Sequence, residues 1–483
     1  MVNIEEVVKL IRNIGISKYI FDYSIYNQYL LPCYNWYKGK TPYHVHKVYN
    51  GANSIVVEKA KLHMAKASSE DIASLVCNDA MTINIEGQPE YDYLLGVDNM
   101  SGVLGLNDFW NKMNEVIELT AALGTAALEI IVDNVIIQNN VLKGTKNTKI
   151  KLVKHNALSI IPLCWDNNGF ITELAFIDEY KKGNDNYIDL RIHVKNDFGN
   201  YIIINKTYKS LDFNVNKGDN IKSLFTEVSR SDVTDIIDTH SDVPWFTCFK
   251  LPIINNWDLN SPMGASSFGN AIDELKAIDD AFTTLCGEFR YSNKKVFYNK
   301  SMLDRDKKGN IIIPDEDETN KEVFFFTGDG VSSDDDKKPI YEYNPEIRAE
   351  QINNGIELLL NLYSFKVGLG HGFYKFSNGV VQKTAKEVIS ANSALYRNIC
   401  KIQIGIEKNI IDIIRSILFV SNLVTGTKYN VDVPITIKFD ASLLEDKSSE
   451  RDRALEEVRL NILTPQEYRK VYYPELDNNS ANE

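Results

Sequence analysis

The run from residue 261 to 293, SPMGASSFGNAIDELKAIDDAFTTLCGEFRYSN, restricts the fold more than any other part of the chain. It opens with a Pro/Gly turn, and Ser266 or Ser267 stands where a hydroxyl can accept from a free backbone N–H of a first helical turn. Apolar residues then recur at Phe268, Ala271, Ile272, Leu275, Ile278, Phe282, Leu285 and Phe289, the three-and-four spacing of one buried helical stripe. The remaining surface carries Asp273, Glu274, Asp279, Asp280 and Glu288. One side is built for packing and the other for a solvent-filled space, and no catalytic motif lies nearby. The spacing predicts a wall element.

The rest of the chain divides around this helix. Residues up to about 255 mix short helices and strands, with helices expected over 55–75 and 103–128; Phe109, Met113, Val116, Leu119 and Leu123 supply the second stripe. Strands are expected at 128–132, 135–138, 149–153, 159–162, 170–179, 187–194 and 201–207. Asn139-Asn140, Asn167-Asn168-Gly169 and the run 196–200 mark turns between them. The pattern is α+β with an antiparallel sheet, and 209–243 reads as polar loop.

After residue 293, two strands at 295–303 and 310–314 flank the turn Asp306-Lys307-Lys308-Gly309, and a third is expected at 322–327. An exposed loop over 328–339 precedes a helix over 348–367, whose apolar positions are Ile352, Ile356, Leu359, Leu360, Leu362 and Tyr363. A small β module is thus inserted between two helices. Gly368-Leu369-Gly370-His371-Gly372 breaks the chain, and Thr384 with Glu387 forms a capping box. A long helical pattern then runs to about 422, followed by a strand over 433–439 and a short charged tail over 448–483.

At 483 residues the chain is long enough for about three domains. A net charge of −13 argues against a broad basic face that clamps nucleic acid. No apolar run reaches the length of a membrane-spanning helix, and the N-terminal residues lack a signal peptide's basic and cleavage regions, so folding in a cytoplasm is expected. Cysteines at 33, 77, 164, 248, 286 and 400 include no CxxC pair and read as buried, reduced thiols.

Candidate chemistry is sparse. Gly39-Lys40-Thr41 lacks the glycine a phosphate-binding loop needs five residues earlier, where Tyr34 stands, and reads as a surface turn. Asp304, Asp306, Lys308, Gly309 and Asp315 miss a calcium loop's oxygen ligand at the fifth position and its terminal Glu. His44 and His46 lie in a Tyr-rich segment that reads as a wet aromatic surface, and His155, His193, His240 and His371 are isolated in sequence. No GxSxG elbow or HExxH helix occurs. No catalytic residue, metal site or cofactor is expected.

The run from 261 to 288, followed by NKKVF at 293–297, resembles the portal proteins of tailed bacteriophages, of the type common in phages of Gram-positive hosts. The resemblance continues upstream in Ala122-Leu123-Gly124-Thr125-Ala126-Ala127 and in Ile161-Pro162-Leu163-Cys164-Trp165-Asp166 through Phe176. Downstream it covers Pro345-Glu346-Ile347-Arg348, Val367-Gly368-Leu369, Lys383-Thr384-Ala385-Lys386-Glu387-Val388 and Phe439-Asp440-Ala441-Ser442. Three positions depart from the family pattern: Ala126 stands for a usual glycine, Lys386 for a threonine and Ala441 for an aspartate.

The resemblance implies a multidomain subunit of a ring-shaped homo-oligomer, a dodecamer. Its divisions would be wing 1–258, stem helix 259–294, clip 295–343, second stem helix 344–368, tunnel loop 369–383, long wing helix with returning strand 384–444, and a short helical crown 445–483. The implied function is the DNA channel at one capsid vertex, serving genome packaging, head–tail joining and ejection. Implied partners are double-stranded DNA, terminase, major capsid and scaffold proteins, and head-completion, adaptor and tail proteins, with no membrane. The place implied is the virion, with host cytoplasm during assembly. It also implies that Phe373, Tyr374, Lys375, Phe376 and Lys383 approach DNA, and that Asp273, Glu274, Asp279 and Asp280 line the channel. An acidic bore with few basic points releases few counterions and lets duplex slide. A soluble DNA-acting enzyme or a monomeric adaptor is the alternative class.

Overall fold

Short helices broken by turns begin the chain. The protein is described by a computed structural model over residues 4–15, 24–50, 53–77, 81–97, 100–138, 141–210, 225–230, 234–292, 295–299, 307–309, 324–327, 340–374, 385–439, 454–456, 458–460 and 468. Helix α1 (Ile4–Asn13) buries Val7 and Ile11, four residues apart on one face. A π-helical turn, Tyr26–Leu30, leads into α2 (Leu31–Tyr37). The hairpin β1 (Val45–Asn50) and β2 (Asn53–Glu58) follows, then α3 (Met64–Val76).

The helix expected over 55–75 is therefore a strand and a shorter helix. Ile55, Val56 and Val57 are consecutive β-branched residues that favour the pleated conformation. His63, at φ 56°, then stops helical backbone just ahead of Met64.

β3 (Thr82–Ile85), α4 (Gln88–Leu94), α5 (Val103–Leu106) and α6 (Phe109–Leu123) come next. The stripe expected on α6 is buried at Phe109, Met113, Val116 and Leu123. Two left-handed residues cut the expected 103–128 helix, Asp108 at φ 53° and Gly124 at φ 81°. Only glycine fits the second, because a Cβ there would stand 2.3 Å from the Gly264 carbonyl oxygen.

The chain turns there into β4 (Thr125–Gln138), paired along its length with β5 (Val141–Asn156). The two strands expected at 128–132 and 135–138 are one, with a register shift at Asn134, where φ is 57°. The turn at Asn139-Asn140 lies outside the described residues. Strands β6 (Ile160–Trp165), β7 (Ile171–Lys182), β8 (Asp185–Lys195), β9 (Tyr201–Ser210), β10 (Phe225–Glu227) and β11 (Ile236–Asp238) form an antiparallel sheet ordered β10-β9-β8-β7-β6, with β11 also on β9. Gly169 and Gly199 make the expected turns at φ 77° and 86°. β12 (Phe246–Lys250) completes a second sheet, β12-β4-β5.

A 3-10 turn, Gly269–Ala271, opens α7 (Ile272–Tyr291). Beyond it lie β13 (Lys295–Asn299), β14 (Phe324–Thr327), β15 (Ile340–Tyr343) and α8 (Ala349–Lys366). β13 is central, parallel to β14 and antiparallel to β15. The inserted β module is present, but β15 was not expected; four residues are too few to show alternation. The expected strand at 310–314, the loop at 328–339 and most of the calcium-like run lie outside the described residues.

Helix α9 (Ala385–Thr425) packs on β5 and β12 and ends at Gly426, φ 72°. Thr384, the first residue of the expected capping box, lies outside the described residues. β16 (Ile435–Lys438) returns to pair with β3, Ile435 opposite Ile85. The principal core is the buried face of α9, with Ile399, Ile402, Ile406, Ile410, Ile413, Ile414 and Ile417, set against these sheets and α3. Among the described residues, no helix is long and apolar enough to cross a membrane. The chain is a mixed helix-and-sheet protein.

Candidate functional site

Helices α7 and α8 lie antiparallel against each other, fixed by an ion pair at each end. Lys366 at the end of α8 reaches Glu274 near the start of α7 at 2.6 Å, and Arg348 just ahead of α8 pairs with Glu288 near the end of α7. The β module leaves from one end of this pair and returns to it. Phe268 and Ala271 in the turn ahead of α7 and Leu275 and Ile278 on it are buried as the spacing predicts, but the stripe runs out at Phe289, which is exposed. On α8, Ile356, Leu360 and Tyr363 are buried and Leu362 is exposed.

The serines expected to cap α7 do other work. The Ser266 backbone N–H donates to the Tyr29 hydroxyl at 2.9 Å, and the Ser267 N–H donates to the Ala121 carbonyl at 2.9 Å. Both are buried, and the helix starts later, at Ile272, with Ala271 at the N-cap position and no side-chain cap. Asp273 and Glu274 in the first turn offset its unpaired N–H groups instead.

The four acids predicted for a solvent-lined face divide into different roles. Asp273 is exposed and holds Lys276 at 2.9 Å on its own helix, which lowers its carboxyl below the ordinary range. Glu274 is largely enclosed by its pair with Lys366. Asp280 is half-exposed and accepts from the Tyr43 hydroxyl at 2.5 Å and the Lys59 ammonium at 2.7 Å. Partial burial opposes its ionisation, but these hydrogen bonds outweigh burial and lower its carboxyl.

Asp279 is a correction: it is buried, 5 % exposed, not solvent-facing. His44 Nε2 lies 2.7 Å from its Oδ2, and the Leu62 backbone N–H donates to its Oδ1 at 2.9 Å. With Thr283 donating to the Ala60 carbonyl at 3.2 Å, these contacts strap His44 and residues 60–62 across α7. The physical reason is position. Asp279 adjoins Ile278 and sits four residues after Leu275, at the edge of the apolar stripe, where a strap can cover it. His44 is accordingly no wet-surface residue; it is 1 % exposed and lies edge-on to Trp36 at 5.1 Å. Thr41, from the rejected phosphate-loop run, caps the short turn that carries His44 by accepting from the Tyr43 N–H.

The predicted tunnel loop is described only at its start. His371 stacks on Phe365 with centroids 4.7 Å apart, and Phe373 is partly exposed. Tyr374 points into the subunit: its hydroxyl donates to Asp71 Oδ2 at 2.6 Å and its ring lies 6.4 Å from Tyr363. Burial, then the Asp71 carboxylate, pushes its phenol well above its ordinary value, so it stays a donor. Tyr374 anchors the loop to α3. Lys375, Phe376 and Lys383 lie outside the described residues.

One charged cluster escaped the sequence reading. His155 and His193, isolated along the chain, converge on the buried Glu129 carboxylate at 2.9 and 3.1 Å. Arg191 completes the group, with Nε at 2.9 Å and Nη2 at 2.8 Å from Glu129 and Nη1 at 2.6 Å from Asp178. His155 stands opposite Ala127, two residues from Glu129 on β4, so both project from one face. Arg191 and His193 alternate on one face of β8. Burial opposes charge on Glu129, but its hydrogen bonds from His155, His193 and Arg191 and the guanidinium charge hold it well below the ordinary range. The signal available in sequence was the alternation of Arg191 and His193.

Of the thiols, Cys33 and Cys77 are buried, and burial pushes each to about 12, where neither is a nucleophile. Cys286 is exposed on α7, contrary to the expectation of a buried thiol.

No curated protein matches the chain. Among solved structures, a chain from the neck of a native GTA particle computed with C12 symmetry is similar at 9% identity, covering 92% of each chain with a TM-score of 0.39. A chain from the neck of an empty GTA particle computed with C6 symmetry is similar at 11% identity, covering 84% of this chain and 88% of that one with a TM-score of 0.37. A family model described as phage portal protein, SPP1 Gp6-like, matches residues 25–483. That match runs from the π-helical turn to the last residue, and the chain belongs to the SPP1 Gp6-like family of phage portal proteins.

Proposed function

We propose that copies of this portal protein close into a twelve-membered ring around a DNA channel at one capsid vertex. The observation that carries the reading is the family match over residues 25–483. The antiparallel α7–α8 pair, with the β module at one end, supports the division into stem and clip. On this reading 259–294 and 344–368 are the stem, 295–343 the clip, 1–258 and 384–444 the wing, 369–383 the tunnel loop and 445–483 the crown. The family is structural, and ATP hydrolysis belongs to the terminase that docks on the ring. The clip meets terminase during packaging and adaptor proteins afterwards; the wing meets capsid and scaffold proteins. Subunits fold in the host cytoplasm and end in the virion, where the channel releases the genome.

The channel mechanism rests on charge. Asp273 is exposed and Asp280 is half-exposed, and of the four acids expected along the channel these two are left to face the bore. With Asp279 and Glu274 turned into the subunit, the wall is weakly rather than densely acidic. Phe373, Lys375, Phe376 and Lys383 approach the duplex while Tyr374 holds the base of the loop on Asp71. A few basic points on a repellent wall position DNA without releasing enough counterions to trap it.

Negative-stain microscopy and mass measurement of the full chain should show rings. A protein that stays monomeric at every concentration contradicts the assignment. The double variant Lys375→Glu/Lys383→Glu should form normal rings and package less DNA. Normal packaging by that variant removes these lysines from the mechanism.

A further inference from the structure

We propose that the gap between the two wing sheets binds a small neutral molecule with an apolar body and one hydroxyl or carboxamide group. The gap is about 300 Å³, between β4 and β5 on one side and β8, β9 and β11 on the other. Cavities of about 150 Å³ already admit a benzene ring. Leu142, Ile203 and Ile237 supply apolar wall.

The charged lining is spoken for. Arg191 is held by Glu129 and Asp178, Lys206 by Glu227 at 2.6 Å and Asp235 at 3.6 Å, and Arg230 by Asp189 at 2.8 Å. Asp133 pairs with Lys151. An ionic ligand would have to break one of these pairs, and the structure offers it no spare countercharge along this lining.

Two lining groups have no protein partner. Trp245 is 2 % exposed, and its indole Nε1–H is buried without an acceptor. His193 is 1 % exposed; its Nε2 lies 3.1 Å from Glu129, and its Nδ1 has no partner. A carboxylate only accepts, so Nε2 carries a proton, and in that tautomer Nδ1 is the acceptor. One buried donor and one buried acceptor therefore await a partner. A hydroxyl or carboxamide supplies both complements, and its carbon body fills the apolar wall. Buried polar groups are nearly always paired in folded proteins, so something occupies these positions in solution.

The test titrates the full-length protein with benzyl alcohol and with toluene, which shares its ring and lacks its hydroxyl, by calorimetry. Saturable binding of benzyl alcohol, about tenfold tighter than toluene, is expected. Trp245→Phe should erase that difference by weakening the alcohol and leaving toluene unchanged. Soaking 4-bromobenzyl alcohol into crystals of the wild-type protein should put bromine anomalous density between Ile203 and Trp245, a readout that stands if the variant fails to fold. Equal affinity for the two probes, an alcohol affinity unchanged in Trp245→Phe, or density elsewhere with only water in the gap overturns the proposal. The outcome does not depend on whether the protein is a ring or a monomer.

Discussion

Glu129 and Asp279 are both buried carboxylates bonded to a buried histidine, yet they sit in different mechanical settings. Glu129 lies between two sheets and receives two histidines and a bidentate guanidinium, all from regular strands. Asp279 lies on α7, and receives one histidine from a 3-10 turn ahead of the β1–β2 hairpin and one backbone N–H from the segment that follows it. A buried charge is tolerated only when its lone pairs are used and its charge is balanced. Glu129 satisfies both conditions with a permanent cation. Asp279 satisfies the first with neutral or titratable donors. The first site joins two sheets through their strands, and the second joins α7 to the segments on either side of the β1–β2 hairpin.

Glu129→Ala leaves Arg191 with only the half-exposed Asp178, and should cost about 3–5 kcal/mol of stability, read as a large fall in Tm. The pH dependence sharpens the point. The unfolded carboxyl takes up its proton near 4.5, whereas the folded one is held well below that. Its stabilisation is therefore complete above about pH 4.5 and is lost as pH falls through the folded value. Melting of the wild type should decline steeply in that acid window, and Glu129→Gln should show a flatter decline from a lower plateau.

Next in size is Asp279→Ala, which strands the His44 imidazole and the Leu62 N–H and should cost about 1–3 kcal/mol. Its distinctive readout is faster hydrogen exchange in α7 and in residues 59–62 while β4 and β8 stay protected. Equal loosening of β4 and β8 would put Asp279 in the same class as Glu129. Lys366→Ala removes a partly exposed pair with Glu274 and should cost at most about 1 kcal/mol. Asp273→Asn should lower Tm least of all, because its carboxylate is solvent-exposed and only its pair with Lys276 and its place in the first turn of α7 are lost. A drop comparable to that of Asp279→Ala would show that α7 does not discriminate among its acids.

Periodicity made much of this fold legible. The stripes of α6, α8 and α9 and the strands from 160 to 210 follow from apolar spacing and glycine turns, because each is decided by neighbours within a few residues. The strap and the Glu129 cluster were not legible. His44 and Asp279 are 235 positions apart, and His193 and Glu129 are 64 apart, so no local pattern joins them. The same distance hid the partnership of β3 with β16, and the burial of Asp279 on an otherwise correctly read helix. Family resemblance carried the functional reading, since composition alone gave only an acidic chain without a catalytic motif.

The joining of β3 to β16 governs how the subunit is made. While the ribosome is still extending the chain, β3 has no neighbour until residue 438 emerges, and the undersides of β5 and β12 stay bare until α9 arrives. The α7–α8 pair rests on itself and on upstream residues such as His44 and Leu62, all made before α9, and can settle earlier. A product terminated before α9 is thus not a portal missing its tail. It is an open sheet with an exposed oily face and an unpaired edge, a substrate for chaperones and a seed for aggregation.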